Sequence, residues 1–87
     1  MGKKQNKRAV IFYELPADLD IVLFKYELEK FGEIQFFDMP RNSEGKWDRT
    51  CIVAYLFDTD NEKLLCNVPR VVFCGVHLKA RFGYHQF

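Results

Sequence analysis

Ile21, Phe24, Leu28 and Phe31 recur at spacings of three, four and three, which lines them along one side of an α-helix. The segment before them, Ala9 to Leu15 (AVIFYEL), is apolar and aromatic and stops at Pro16, as a centrally placed strand does. Asp18 or Asp20 can cap the helix by accepting bonds from its free amides, and the carboxylate also suits the positive end of the helix dipole. Gly32 is expected to end it as a left-handed residue at little steric cost. Ile34 to Met39 (IQFFDM) then predicts a second strand, and Pro40 to Arg49 (PRNSEGKWDR) a polar loop with turn chemistry at Asn42 to Gly45. Thr50 to Phe57 (TCIVAYLF) predicts a third strand. Asp58 to Asn67 predicts a shorter helix anchored on Leu64 and Leu65, which Pro69 stops. Val71 to Cys74 and Val76 to Phe82 are β-rich runs about Gly75. In the second of these Val76, Leu78, Ala80 and Phe82 alternate with His77, Lys79 and Arg81, so one side is apolar and the other basic.

Eighty-seven residues hold one core of modest size. The order β-α-β-β-α-β therefore describes a single α+β domain, a ferredoxin-like βαββαβ sandwich in which a four-stranded antiparallel sheet carries two helices on one face. The first and third strands are expected at its centre, and the second face is left open as the default functional surface. The expected organisation is a basic flexible tail over 1–8, the domain over 9–82, and a short C-terminal tail over 83–87.

With 48% apolar and 29% charged residues, the chain has the balance of a soluble globular protein. Its longest apolar runs fall far short of the ~20 residues of a membrane-spanning helix. Met1 to Arg8 is polar and basic, unlike a secretory signal, so an intracellular location, nucleus or cytoplasm, is expected. Cys51, Cys66 and Cys74 are widely spaced in apolar segments and are read as free buried thiols. Two histidines, His77 and His85, do not make a zinc site with them. No cofactor is expected.

The net charge of +1 is unevenly spread. Lys3, Lys4, Lys7 and Arg8 precede the first strand with no acid among them. Residues 14–33 hold Glu14, Asp18, Asp20, Glu27, Glu29 and Glu33 against Lys25 and Lys30, and Arg70, Lys79 and Arg81 close the chain. Basic ends that converge on one face would attract a polyanion; the alternative is a set of solvated charges and a tail.

Phe24, Leu28, Phe31, Gly32 and Ile34 match the Leu-x3-Phe-x2-Phe-Gly-x-Ile pattern that closes the first helix of the RNA recognition motif family. Phe73, Gly75, Leu78 and Ala80 are similar to its last-strand signature, and Val10 to Leu15 (VIFYEL) resembles its first-strand hexamer. The resemblance covers almost the whole chain and implies a domain that binds single-stranded RNA on its open sheet. The strand-three octamer departs from the pattern. Asp48 to Tyr55 (DRTCIVAY) and Arg49 to Leu56 (RTCIVAYL) are the two possible registers. We prefer the first, which puts Cys51 at the small position, Val53 and Tyr55 inward, and Thr50 and Ile52 outward. In both, the outward positions lack aromatics, and the hexamer's aromatic position is Ile11. A base stack on an aromatic ring is worth ~1–3 kcal/mol, so losing two or three lowers affinity by ~10²-fold or more.

On this reading Ile11 and Ile52 are flat apolar surfaces beside Thr50, with Tyr13 further along the same side. Trp47, Tyr84 and Phe87 are aromatics outside the motifs, and Arg41, Lys46, Arg49, Lys79 and Arg81 are candidate phosphate contacts. Trp47 has the alternative of folding its indole over the sheet edge. Phe12, Phe24, Phe31, Phe36 and Phe73 are assigned to the core. A protein-interaction module using the same sheet or the helical face is the competing reading. No glycine-rich anion loop followed by Arg, no close cysteine pair and no nucleophile–base motif is present, so catalysis is not expected. A monomer with no membrane contact is expected.

Overall fold

The computed structural model describes residues 6–68, 72–73 and 76–86. Its elements are β1 (Asn6–Tyr13), α1 (Ile21–Glu29), β2 (Ile34–Asp38), β3 (Cys51–Tyr55), α2 (Asp58–Asn67), β4 (Val72–Phe73), β5 (Val76–His77) and β6 (Lys79–Gln86). β2, β3, β1 and β6 form one sheet in that order, with every neighbouring pair antiparallel. β1 and β3 are thus central, and the chain has the ferredoxin-like βαββαβ architecture. β4 and β5 pair only with each other. Of the β-rich run expected over Val71 to Cys74, Val72 and Phe73 are described, and they belong to a separate two-stranded sheet; the last strand of the four-stranded sheet begins at Lys79.

Both helices cover one face, because alternate residues of every strand are apolar on that side. Val10, Phe12, Cys51, Val53 and Tyr55 are buried there with Phe24 and Leu28 of α1 and Leu64 of α2, while Phe37, Ala80 and Phe82 pack against them. The Phe12 and Phe24 rings meet edge to face at 5.2 Å, a geometry that suits their quadrupoles. The Tyr55 hydroxyl donates to the Leu28 carbonyl at 2.5 Å, tying β3 to the last turn of α1. Burial pushes the Tyr55 hydroxyl above its ordinary pKa, helped by the charge of Asp60.

Asn61 of α2 is fully buried. Its Oδ1 accepts from the Tyr55 N–H at 3.0 Å, and its Nδ2 donates to the Arg8 carbonyl at 3.2 Å. Continuing the register beyond Val10↔Val53 would set Arg8 opposite Tyr55, so the Asn61 amide takes the place of the next direct strand–strand bond. The Arg8 guanidinium turns to the same side and bridges Asp58 and Glu62, with its face 4.3 Å from the Phe82 ring. The two carboxylates raise its already high pKa.

Several expectations are corrected. β1 begins at Asn6 rather than Ala9, and β6 runs to Gln86, through residues read as tails. Asn6↔Gln86, Lys7↔His85, Arg8↔Tyr84 and Ala9↔Gly83 extend the ladder, since main-chain pairing does not require apolar side chains. Lys30 at the end of α1 is right-handed, and Gly32 has φ 157°, outside the left-handed helical well but still a positive φ that side chains rarely adopt, so the backbone calls for glycine and a second constraint adds to it. A Cβ on Gly32 would overlap Asp60 Oδ2 and lie 3.0 Å from Asp60 Cβ, which makes Gly32 the seat of a close approach by α2. Ile21, read as part of the core stripe, is exposed. Cys51 is buried as expected, but Cys66 is exposed, because it lies on the outer side of α2. Cys74, Gly75 and Phe87 lie outside the described residues, as does the side chain of Phe73. Phe36 points away from the core. An irregularity between Ile34 and Phe36 shifts the pairing so that Phe36 lies opposite Ala54 and Phe37 opposite Val53, which hands the inward place to Phe37.

Candidate nucleic-acid interface

The strand registers set the face away from the helices out in rows. Arg81, Ile11, Ile52 and Asp38 form one row across β6, β1, β3 and β2. Lys79 and Tyr13 form the next towards the 40–49 loop, and Thr50 continues it on the β3 side. Gly83 with Ala9 and Ala54 with Phe36 form the row on the other side. Ile11, Tyr13, Phe36, Thr50 and Ile52 are half-buried. The central surface is therefore apolar and shallow, with a cation at the β6 border and a carboxylate at the β2 border.

Gly83 decides how Ile11 lies. A Cβ there would overlap Ile11 Cδ1 and lie 3.1 Å from its Cγ1, so the isoleucine leans across the sheet into the space the glycine leaves and presents its flank. Ala9 and Ala54 are fully buried in spite of pointing away from the helices, and they form a tight floor between the larger residues. The preferred octamer register is the one observed: Cys51, Val53 and Tyr55 are in the core, and Thr50 and Ile52 are on the open side. Burial pushes the Cys51 thiol up to about 12, with Asp38 adding to the shift, so the thiol stays protonated under the sheet.

The cations differ in how free they are. Lys79 pairs with Glu14 at 3.2 Å. Arg81 has no carboxylate partner among the described residues and makes a long contact to the Phe82 carbonyl at 3.4 Å. Arg41 donates to the Gly45 carbonyl at 3.0 Å, and Lys46 is exposed in the same turn. That turn is built by Asn42, whose side-chain oxygen accepts from Glu44 and Lys46 N–H at 2.9 and 3.1 Å. Gly45 supplies φ 79°, a left-handed conformation that suits glycine.

Two expected contacts are bonded within the domain, and a third lies on the helix side of the sheet. Trp47 packs against the core and its indole N–H donates to the Thr50 carbonyl at 2.7 Å, so it folds back on the domain. The Arg49 Nε donates to the Leu15 carbonyl, while the Leu15 N–H donates to the Arg49 carbonyl at 3.0 Å. Arg49 thereby clasps the end of β1 to the start of β3. It does so with φ 65°, facing Glu14 at φ 54°, two left-handed non-glycine positions that each cost ~1–2 kcal/mol. Tyr84 is opposite Arg8 in the ladder and hence on the helix side, away from Ile11 and Ile52. Phe36 is the outward aromatic that the sequence reading missed. The single hint was the FF pair, one of which must face out of a regular strand.

No protein-family model matches the chain, and no curated protein matches it. Among solved structures, it is similar to RNA Binding Protein PG1, at 13% identity and TM-score 0.75, over 88% of this chain and 94% of that one. The third RRM domain of Gbp2 matches at 14% identity and TM-score 0.69, over 91% of this chain and 82% of that one. The Sex-lethal protein in a complex with RNA matches at 15% identity and TM-score 0.71, over 88% of this chain and 46% of that one. Four strands in the order β2-β3-β1-β6 with two helices behind them, overlaid on these domains across nearly the whole chain, give this protein the fold of an RNA recognition motif.

Proposed function

We propose that this chain is an RNA-binding domain that holds single-stranded RNA on the open face of its sheet. The observation that carries the reading is the row Arg81–Ile11–Ile52 on the face of the four-stranded sheet away from the helices. Apolar side chains there can pack on bases, while the exposed guanidinium reaches a phosphate. The likeness to RNA Binding Protein PG1 and to Sex-lethal protein solved with RNA supports it.

The rows also give the contact a direction. Asp38 repels phosphate at the β2 border, so the backbone of the strand runs on the Arg81 and Lys79 side while bases reach inward over Ile11, Tyr13, Ile52 and Phe36. The Thr50 hydroxyl donates to Asp48, and its oxygen can still accept from a base edge. Arg41 and Lys46 extend the basic border at the loop. Trp47, Arg49 and Tyr84 drop from the contact set, because two are bonded within the domain and the third lies on the helix side. Without aromatics at the three usual positions the affinity is modest, since each missing stack removes ~1–3 kcal/mol.

The test is a chemical-shift titration of the chain with random-sequence single-stranded RNA at low salt. Saturable shifts at Ile11, Tyr13, Phe36, Thr50, Ile52 and Arg81 are expected. Lys79→Glu combined with Arg81→Glu weakens binding and flattens its salt dependence, by about 0.7 in log–log slope for each phosphate no longer neutralised. RNA that leaves the sheet resonances unmoved while the fold is intact overturns the proposal.

A further inference from the structure

Phe24 and Leu28 are the buried residues of α1, and they fix which side of the helix meets the sheet. Tyr26 lies two residues from each of them, about 200° round the helix at 100° per residue, so it faces directly away. Val22 is one turn before Tyr26, and Leu23 stands beside the pair, about 60° from Tyr26. Val22 is 79% exposed, Tyr26 62% and Leu23 54%. These three large apolar side chains within one turn of the helix form a contiguous patch of the kind that marks an interaction site.

The border of this patch is acidic. Glu29 stands three residues after Tyr26 and seven after Val22, on the same side of the helix, and the exposed Asp18 and Asp20 precede the first turn. Asp20 caps the helix by accepting from the Leu23 N–H at 3.1 Å. The nearby lysines are engaged. Lys30 pairs with Glu27 at 3.0 Å and stands 5.5 Å from the Tyr26 ring, while Lys25 stands 5.3 Å from the Phe37 ring. Asp18 and Glu29 have no ion-pair partner among the described residues.

We propose that the outer side of α1, Val22, Leu23 and Tyr26 with Asp18, Asp20 and Glu29 at its border, docks a Lys/Arg-rich amphipathic segment of a partner protein. Apolar side chains of such a segment cover the patch, and its cations meet the unpaired carboxylates. The same carboxylates repel a polyanion, which separates this surface chemically from the sheet face. The two also point in opposite directions, since α1 packs behind the sheet and the patch is on its far side. Both can be occupied at once, and this inference does not rest on the RNA reading.

The probe is a synthetic helical peptide of about four turns, with Leu on one face and Lys on the other, added to isotope-labelled full chain. Saturable shifts are expected at Val22, Leu23 and Tyr26. A matched peptide with Glu in place of Lys should bind at least ~10-fold more weakly, since like charges then face each other. The double variant Val22→Lys, Tyr26→Lys should lose the interaction while keeping the parent's melting curve, because neither side chain is used by the core. The proposal is overturned by equal binding of the Lys and Glu peptides, by shifts confined to other surfaces, by the absence of saturable shifts, or by retained binding in the double variant. Competition by single-stranded RNA at the same resonances also overturns it, because it would put the peptide on the sheet.

Discussion

Asn61→Ala removes one side chain and separates two strands from their shared helix. The amide is fully buried and serves the Tyr55 N–H, the Arg8 carbonyl and Asp58 Oδ1 at 3.0, 3.2 and 3.2 Å. Truncation strands the Tyr55 N–H in the interior, a loss of ~1–3 kcal/mol for an unsatisfied buried group. The Arg8 carbonyl lies nearer the surface and recovers part of its bond from water, so its share is smaller. The total expected loss is about 2–4 kcal/mol, and at ~4–8 °C per kcal/mol for a domain of this size the melting point falls by roughly 10–25 °C. Urea unfolding followed by circular dichroism measures the first figure, and a thermal melt the second. Asn61→Asp keeps the acceptor for Tyr55 but loses both donors and sets a charge beside Asp58, so at neutral pH it should be no better than Ala. A loss below ~1 kcal/mol in the Ala variant would mean that Arg8 and Tyr55 close up and bond directly, and Asn61 would then not be the wedge that holds them apart.

Gly32→Ala should destabilise the fold by at least ~1–3 kcal/mol, through overpacking against Asp60 and through the strain of a side chain at φ 157°. Asp60→Ala in the same chain should return part of that loss, which a double-mutant cycle on urea midpoints reads directly. Cys51 and Tyr55 are both held protonated by burial, so each contributes stability that is complete below its unfolded pKa and is lost as pH rises towards the folded one. For Cys51 that window runs from its ordinary 9.0 to about 12. Urea midpoints should therefore drop between about pH 8 and about pH 10.5, and Cys51→Ala should show a shallower drop. In a Cys74→Ser background, a thiol reagent at about pH 8 should label exposed Cys66 and spare Cys51 until the chain unfolds. Phe36→Ala should change stability by less than ~1 kcal/mol and weaken RNA binding, whereas Phe37→Ala should cost about 1–3 kcal/mol, measured by denaturation and by RNA titration in parallel.

Period-two and period-3.6 spacing are local properties, and what depended on them was legible in the residues. The element order, the Asp58 to Asn67 helix, the inward Val10 and Phe12, and the octamer register all follow from which neighbours share a side. What was not legible depends on partners far away in the chain. Phe36 and Phe37 are adjacent and chemically identical, so spacing alone assigns them wrongly once an irregularity near Gln35 shifts the pairing by one. Gly32 carries a familiar helix-ending signal, and its positive φ fits that, yet the close approach of a carboxylate from α2 was not legible. Arg49 and Trp47 have the composition of ligand contacts, and carbonyls at Leu15 and Thr50 engage them instead. The polar ends of β1 and β6 look like tails because a ladder needs only main-chain groups.

Lys79 and Arg81 show how the same limit bears on function. In sequence they are equivalent, two cations on alternate positions of one strand. The chain bends at Glu14 with φ 54°, and the Glu14 carboxylate stands 3.2 Å from Lys79, while Arg81 has none among the described residues. An exposed ion pair of this kind is worth little to stability, but it must be opened before Lys79 can serve a phosphate fully. Arg81 has no such prior engagement and can offer a planar, bidentate donor set. Arg81→Ala should thus weaken RNA binding more than Lys79→Ala, and Glu14→Gln should strengthen it by releasing Lys79 and removing a repelling charge. Filter-binding titrations of the three variants at one low salt concentration decide the point. If Lys79→Ala is the more damaging change, the phosphate path lies closer to the 40–49 loop than the row of Ile11 and Ile52 implies.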